Sequence, residues 1–313
     1  MEILHSENTN PHKPLVATIG FFDGVHTGHQ FLIGQLKEIA TERDLPSAVI
    51  TFPVHPRRVL STEYQPALLC GYEEKIKRLS ETGIDYCVVL DFSKEVSMLS
   101  AKEFIQDILK KRIGVDTLLI GYDHRFGHNR EDGFEQYVEY GQELGMEVIQ
   151  AKELNSSLHV SSTRIRRLLG EGDIQKANQL LGYNYTISGK IVEGFKVGRT
   201  IGFPTANIEI WEDFKVVPAF GVYAVYVHIE NQIYGGMLYI GKRPTLHNGD
   251  NISLEVNIFN FDEDLYGSSL TCEFIEFVRP DEKFKDLETL KKNIQRDKEN
   301  VAKILEKHTR LNS

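Results

Sequence analysis

The periodicity of this chain changes once, near Tyr185, and that change restricts its fold more than any other feature. Before it, short apolar runs alternate with helical stripes. Leu15-Val16-Ala17-Thr18-Ile19 reads as a buried strand, and the following segment sets Leu32, Leu36, Ile39 and Ala40 on one helical face. Further strands are expected over residues 48–52, 86–90, 117–120 and 147–149, and Phe104, Ile105, Ile108 and Leu109 form another helical stripe. Strands apolar on both faces that alternate with helices imply a doubly wound parallel sheet covered on both sides. Ligands of such α/β sheets bind beyond the carboxyl ends of the strands, where strand order reverses.

After Tyr185 the pattern turns β-rich. Residues 185–192 open it, and residues 222–227 and 233–238 flank the polar turn Glu230-Asn231-Gln232 as a hairpin would. Residues 254–259 alternate with period two and residues 272–278 do so less cleanly, which suggests a small antiparallel β-barrel. Leu287, Leu290, Ile294, Val301, Ile304 and Leu305 make the stripe of a C-terminal helix whose charged remainder reads as a solvated face. A chain of 313 residues exceeds one ordinary core. The expected boundary follows a helical pair at 163–169 and 173–181, giving domains 1–183 and 184–313.

Composition bounds the chemistry. A net charge of −9 argues against a broad nucleic-acid footprint, yet leaves room for a small anion held by a few aimed donors. No run approaches the ~20 apolar residues of a membrane span. The first residues lack the apolar core of a secretory leader. Cys70, Cys87 and Cys272 show no metal-ligand spacing and read as reduced thiols, so the expected compartment is the cytoplasm.

The densest site signal is Gly20-Phe21-Phe22-Asp23-Gly24-Val25-His26-Thr27-Gly28-His29, which links the first strand to the first helix. Gly24 and Gly28 permit a tight bend and close ligand approach. His26 and His29, three apart, share a face of the first helical turn, where free amides and the positive helix end favour an anion. Two imidazoles there suit polyphosphate and a departing pyrophosphate. The spacing alone is equally that of surface histidines. His124 and His128 also have zinc-like spacing, but Arg125 and Arg130 interleave with them and no H-E-x-x-H motif occurs. Ser161-Ser162-Thr163-Arg164-Ile165-Arg166 precedes a helix and reads either as a cap or as a phosphate clamp.

A second motif comprises Gly194, residues 198–202, and Phe203-Pro204-Thr205-Ala206-Asn207. No G-x-x-x-x-G-K-[ST] loop exists, so this is no P-loop. The glycines fit barrel turns as well as a ligand loop. Thr205 and Asn207 offer neutral oxygens to Mg²⁺ on a nucleotide. Glu255, between Leu254 and Val256, either faces solvent on the outer side of a barrel or faces inward as a general base.

In their order along residues 14–306, these motifs resemble those of the bacterial bifunctional riboflavin kinase/FAD synthetase family, whose first half is an H-x-G-H nucleotidyltransferase. Gly20–His29, Thr51–Pro56, Gly121–Gly127 and Ser161–Arg166 carry the first half of the resemblance. Residues 198–207, Gly221-Val222-Tyr223, Gly241-x-Arg243-Pro244-Thr245 and Glu255–Phe259 carry the second. The resemblance implies phosphorylation of riboflavin, then adenylylation of FMN with loss of pyrophosphate, each using ATP with Mg²⁺. It implies ATP contacts from Gly20, Phe21, Phe22, Asp23, Gly24, His26, His29, Ser162, Thr163 and Arg166, with His26, His29 and Arg166 catalytic. The flavin would face His55, Asp123 and Phe126. In the barrel, Gly189, Lys190, Gly194, Gly198, Thr205 and Asn207 would border ATP, Thr205 and Asn207 would hold Mg²⁺, and Glu255 would deprotonate the ribityl hydroxyl. This chain differs from the common family pattern at His124, Tyr239 and Asn293. Other nucleotidyltransferases would leave the barrel motif idle, and a non-catalytic flavin-binding regulator would need no base.

Overall fold

A computed structural model describes residues 1–5, 13–60, 65–122, 125–128, 131–154, 159–193, 202–242, 252–263 and 265–312. The chain forms two compact units, Met1–Ser162 and Thr163–Ser313.

The first unit is built on six strands: β1 (Glu2–His5), β2 (Leu15–Ile19), β3 (Ser47–Thr51), β4 (Tyr86–Val89), β5 (Val115–Ile120) and β6 (Glu147–Gln150). They lie in the order β1-β4-β3-β2-β5-β6, and every pairing is parallel. β2 and β3 are buried at all five positions. Successive side chains point to opposite faces, so one core holds Leu15, Ala17, Ile19, Ile50 and Leu118, and the other holds Val16, Val49, Cys87 and Leu119. The second core is covered by the helix Thr27–Glu42, which buries Ile33, Leu36 and Ala40. Leu32 and Ile39 flank that face, half-buried, so the true stripe is turned slightly from the expected one. From β2 the chain steps outward through β3 and β4, then returns to place β5 on the other side of β2. The reversal therefore falls between the carboxyl ends of β2 and β5. Edge strand β1 was not expected from the sequence.

The second unit is a closed barrel of β7 (Thr186–Val192), β8 (Ala206–Ile210), β9 (Gly221–Ile229), β10 (Gln232–Lys242), β11 (Ile252–Ile258) and β12 (Ser269–Pro280). The circular order is β10-β11-β8-β7-β12-β9 with antiparallel neighbours. β8, inside the expected motif, was not read as a strand. Gly189 on β7 is required by close approach: a Cβ there would lie 2.4 Å from the Glu209 carbonyl oxygen.

The helical pair forms as Ser162–Glu171 and Ile174–Leu181. It packs with the barrel: Asn178 Nδ2 donates to the Phe274 carbonyl at 2.8 Å, and the Ala219 amide donates to the Leu169 carbonyl at 3.0 Å. Compactness thus divides the chain near residue 163, ahead of the pair. The terminal helix Leu287–Asn312 seats Val301 and Leu305 on Ala224 and Ile275. Asp297, 2% exposed, holds Arg279 of β12 through Nε at 2.9 Å and a second nitrogen at 2.8 Å. All three cysteines are buried free thiols. No helix among the described residues is long and apolar enough to cross a membrane.

Candidate active sites

The turn after β2 sits beside the sheet's reversal point, the place where ligands of open α/β sheets bind. Gly20 closes the strand by donating to the Ile50 carbonyl at 3.0 Å. The backbone then turns sharply: Phe22, Gly24 and Val25 have φ of 56°, 77° and 38°. Two of these three are not glycine, and such conformations persist only where the surroundings enforce them. Asp23, buried, supplies part of that enforcement. Its Oδ1 accepts from the Leu69 amide at 2.9 Å, while the Gly24 amide donates to Cys70 Sγ at 3.1 Å.

His26 caps the helix Thr27–Glu42, its Nδ1 accepting from the His29 amide at 3.3 Å. That bond leaves Nε2 to carry the proton of the neutral ring. The two imidazoles stack with centroids 3.6 Å apart and planes 13° from parallel. The two rings do lie together as the spacing predicts, but His26 does so as the extended cap ahead of the helix and not as part of its first turn. Ser162 Oγ donates to the Asp23 carbonyl at 3.1 Å, joining two motifs that lie 139 residues apart. Thr163 and Arg166 lie on the helix that begins at Ser162.

His55 packs edge-on against Phe21 with centroids 4.5 Å apart, and its Nδ1 accepts from the Arg57 amide. Phe126, beyond the end of β5, stacks on Tyr137 at 4.3 Å. The buried Tyr137 hydroxyl accepts from the Phe126 amide at 3.0 Å and lies 3.1 Å from the Phe126 and Asp132 carbonyls. Asp123 and His124 lie outside the described residues.

In the second unit, Glu255 stands on the strand face opposite the fully buried Leu254 and Val256. It belongs to the outside of the barrel, the alternative that sequence reading had linked to plain solvent exposure. Yet it is half-buried and engaged. Its two carboxylate oxygens accept from Ser253 Oγ at 3.0 Å and Thr205 Oγ1 at 3.3 Å. Asn207 on β8 and Tyr239 on β10 are its direct cross-strand partners. Asn257 donates through Nδ2 to the Pro204 carbonyl at 2.7 Å, while its buried Oδ1 has no hydrogen-bond partner among the described residues. Tyr239 hydrogen-bonds Asp281 at 2.9 Å, and burial together with that carboxylate pushes its pKa up to about 12. Gly189 is buried in the β7–β8 contact and Lys190 is exposed beside it. Gly194 and Gly198 lie outside the described residues. No group of three or more His, Cys, Asp or Glu side chains arranged to hold a metal occurs among the described residues.

Sequence reasoning passed over Lys75, Tyr137, Ser253 and Asn257. Lys75 left a visible trace: it shares the inward side of the helix Tyr72–Glu81 with Ile76 and Leu79, an odd place for an ammonium. The others are polar residues at buried periodic positions, which announce no chemistry until the fold supplies their neighbours.

Comparison with known proteins agrees with both halves. Residues 8–164 match the FAD synthetase family model and residues 181–305 match the riboflavin kinase model. A bifunctional riboflavin kinase/FMN adenylyltransferase of Listeria monocytogenes is 37% identical, covering 93% of each chain. The Escherichia coli K12 protein of that name is 36% identical over 94% of each, and the Bacillus subtilis one 34% over 94% of this chain and 96% of its own. A crystal structure from Streptococcus pneumoniae, described as a macrolide-efflux protein, superposes with a TM-score of 0.87 at 31% identity and covers 96% of this chain and 99% of that one. With relatives of this identity along nearly its whole length, the chain belongs to the bifunctional riboflavin kinase/FMN adenylyltransferase family.

Proposed function

We propose that this protein makes FMN and then FAD, phosphorylating riboflavin with ATP at the barrel and adenylylating FMN with ATP at the parallel sheet. What supports the reading most is that each motif meets its partner: Ser162 on Asp23 in the first unit, Thr205 on Glu255 in the second. The adenylyltransferase part is assigned to residues 1–183 and the kinase part to 184–313, in a cytoplasmic enzyme.

At the barrel, Glu255 takes the proton of the ribityl 5′-hydroxyl as that oxygen attacks the γ-phosphorus and ADP departs. Its position beside Thr205 and Ser253 orients the carboxylate. Thr205, Asn207 and Glu255 form an oxygen-only set that fits a hard divalent cation, as does the orphaned Asn257 oxygen on the same strand face. Thr205 and Asn207 would hold Mg²⁺, which supplies charge neutralisation on the phosphates when bound. Gly189, Lys190, Gly194 and Gly198 are assigned to the rim of this nucleotide site.

At the sheet, a phosphate oxygen of FMN attacks the α-phosphorus of ATP and pyrophosphate leaves. His26, His29, Ser162, Thr163 and Arg166 bind and neutralise the polyphosphate, and the Gly20–Gly24 backbone, left-handed at Phe22 and Gly24, shapes its seat. His55, Asp123 and Phe126 take the flavin, with Phe126 braced from behind by Tyr137.

The test is to incubate the protein with riboflavin, ATP and Mg²⁺ and to separate the flavins. FMN and FAD should both form. His29→Ala should lower FAD formation by roughly 10²-fold or more while FMN accumulates. Glu255→Ala should stop riboflavin phosphorylation while added FMN is still adenylylated. Full kinase activity in that variant would remove Glu255 as the base, and loss of both products in His29→Ala would contradict two independent sites. A regulator without turnover would yield neither product.

A further inference from the structure

Among its described residues, the first unit buries one ammonium that its mechanism does not use. Lys75 is 2% exposed and makes no ion pair among the described residues. Its Nζ donates to two carbonyls, Phe52 at 2.6 Å and Phe21 at 3.2 Å, and sits 3.9 Å from the Phe21 ring centroid. These carbonyls belong to the loops that leave β2 and β3 at their carboxyl ends, the loops that carry the Gly20–His29 turn and His55. Thr51 Oγ1 donates to the same Phe21 carbonyl at 3.2 Å. Desolvating an ammonium is costly without a carboxylate in ion-pair contact, and a core leucine would fill the space at no such cost.

The geometry gives the charge a task. In a trans peptide the C=O and the following N–H point in opposite directions, and no cis bond occurs here. Drawing the Phe21 carbonyl inward therefore turns the Phe22 amide the other way. That amide makes no hydrogen bond among the described residues. Phe22 is itself left-handed, as are Gly24 and Val25 after it.

We infer that Lys75 is a positioning residue for FMN adenylylation, holding the Phe21 and Phe52 carbonyls inward so that the Phe22 amide is aimed outward at the ATP phosphates. The inference rests on the adenylyltransferase reading of the first unit. The charged ammonium grips these two carbonyls more strongly than a neutral amine would. Burial pushes its pKa down to about 8, opposed by Cys70, Asp23 and Cys87, the titratable groups that face it from the turn, the adjoining loop and β4; Tyr72 on its own helix lies 5.9 Å off. Cys87, pushed up to about 11 by its own burial, keeps its proton through that range.

The experiment compares wild type, Lys75→Met and Thr51→Val in steady-state FMN adenylylation across pH 6.5–9.5, with riboflavin phosphorylation as an internal control. Lys75→Met should lose about 10–100-fold in kcat for adenylylation with a smaller change in KM, because a misaimed donor fails the developing charge more than the bound substrate. Wild-type kcat should fall as pH rises through about 8, and Lys75→Met should lack that limb. Thr51→Val, lacking the other donor to the same carbonyl, should show a smaller kcat loss and keep the limb. Phosphorylation should be unaffected throughout. If wild type forms no FAD, the adenylyltransferase reading itself fails. If wild type forms FAD but Lys75→Met retains its kcat and its alkaline limb, the inference about Lys75 is overturned. Should Lys75→Met not fold, an unchanged Thr51→Val together with no wild-type limb near pH 8 overturns it equally.

Discussion

Lys75 also gives folding a pH dependence with a definite sign. Its pKa in the folded protein, about 8, lies below that of an unfolded lysine, so between the two the unfolded chain binds more protons and stability rises with pH. The buried Cys87 thiol acts oppositely once pH passes the ordinary thiol range near ~8.5, since its folded pKa is raised to about 11. The window left to Lys75 alone is therefore pH 8 to about 8.5–9. There the urea midpoint of the first unit should climb with pH in wild type and stay flat in Lys75→Met. Stability and adenylylation would then move in opposite directions across the same titration. At this scale the sequence was uneven. His26 and His29 were legible because their spacing brings the rings together, and they do stack. Glu255 was legible as a carboxylate inside an apolar strand, but which face it took was settled only by the packing of Leu254 and Val256.

Elements were legible in proportion to how local their causes are. β2 was read to the residue because Leu15–Ile19 is apolar for both cores. β1 escaped because Glu2-Ile3-Leu4-His5 is short and polar-ended, and it exists only through pairing with Tyr86–Val89 far along the chain. β8 escaped because Ala206–Ile210 is short and begins inside a proline-bearing motif that reads as a loop. The closeness of β7 and β8 makes a sharp prediction at this scale. Gly189→Ala would place a methyl 2.4 Å from the Glu209 carbonyl oxygen and 2.6 Å from Ile208, with backbone on one side. Overpacking of that kind costs about 1–3 kcal/mol, read as a lower denaturant midpoint for the barrel. Because β8 carries Asn207, riboflavin phosphorylation should weaken as well, while FMN adenylylation holds.

For the whole molecule the informative discrepancy is where the chain divides. The change of periodicity at Tyr185 marks where strands begin, whereas compactness breaks near residue 163 because the intervening helices bury Leu168, Leu169, Leu180 and Leu181 on the barrel's side. Ser162, Thr163 and Arg166 nonetheless carry the motif proposed for the first activity, so on that proposal function and packing would cut the chain at different places. Two fragments separate them. Residues 163–313 should melt cooperatively and phosphorylate riboflavin. Residues 184–313, stripped of the Asn178 amide that holds the Phe274 carbonyl, should melt at lower temperature or bind a hydrophobic dye. Equal melting of the two would show that the helical pair contributes nothing to the barrel.

The edges of the six-stranded sheet carry a last consequence. β1 and β6 are four residues each, Glu-Ile-Leu-His and Glu-Val-Ile-Gln, with polar side chains at both ends. A strand that short offers an incoming chain only a few backbone groups, and a charge at its start discourages stacking. The barrel is closed, so among the described residues each of its strands has a neighbour on both sides. Strands that stop this early give a growing fibril little to template on, a safeguard that comes from edge length as well as from charge.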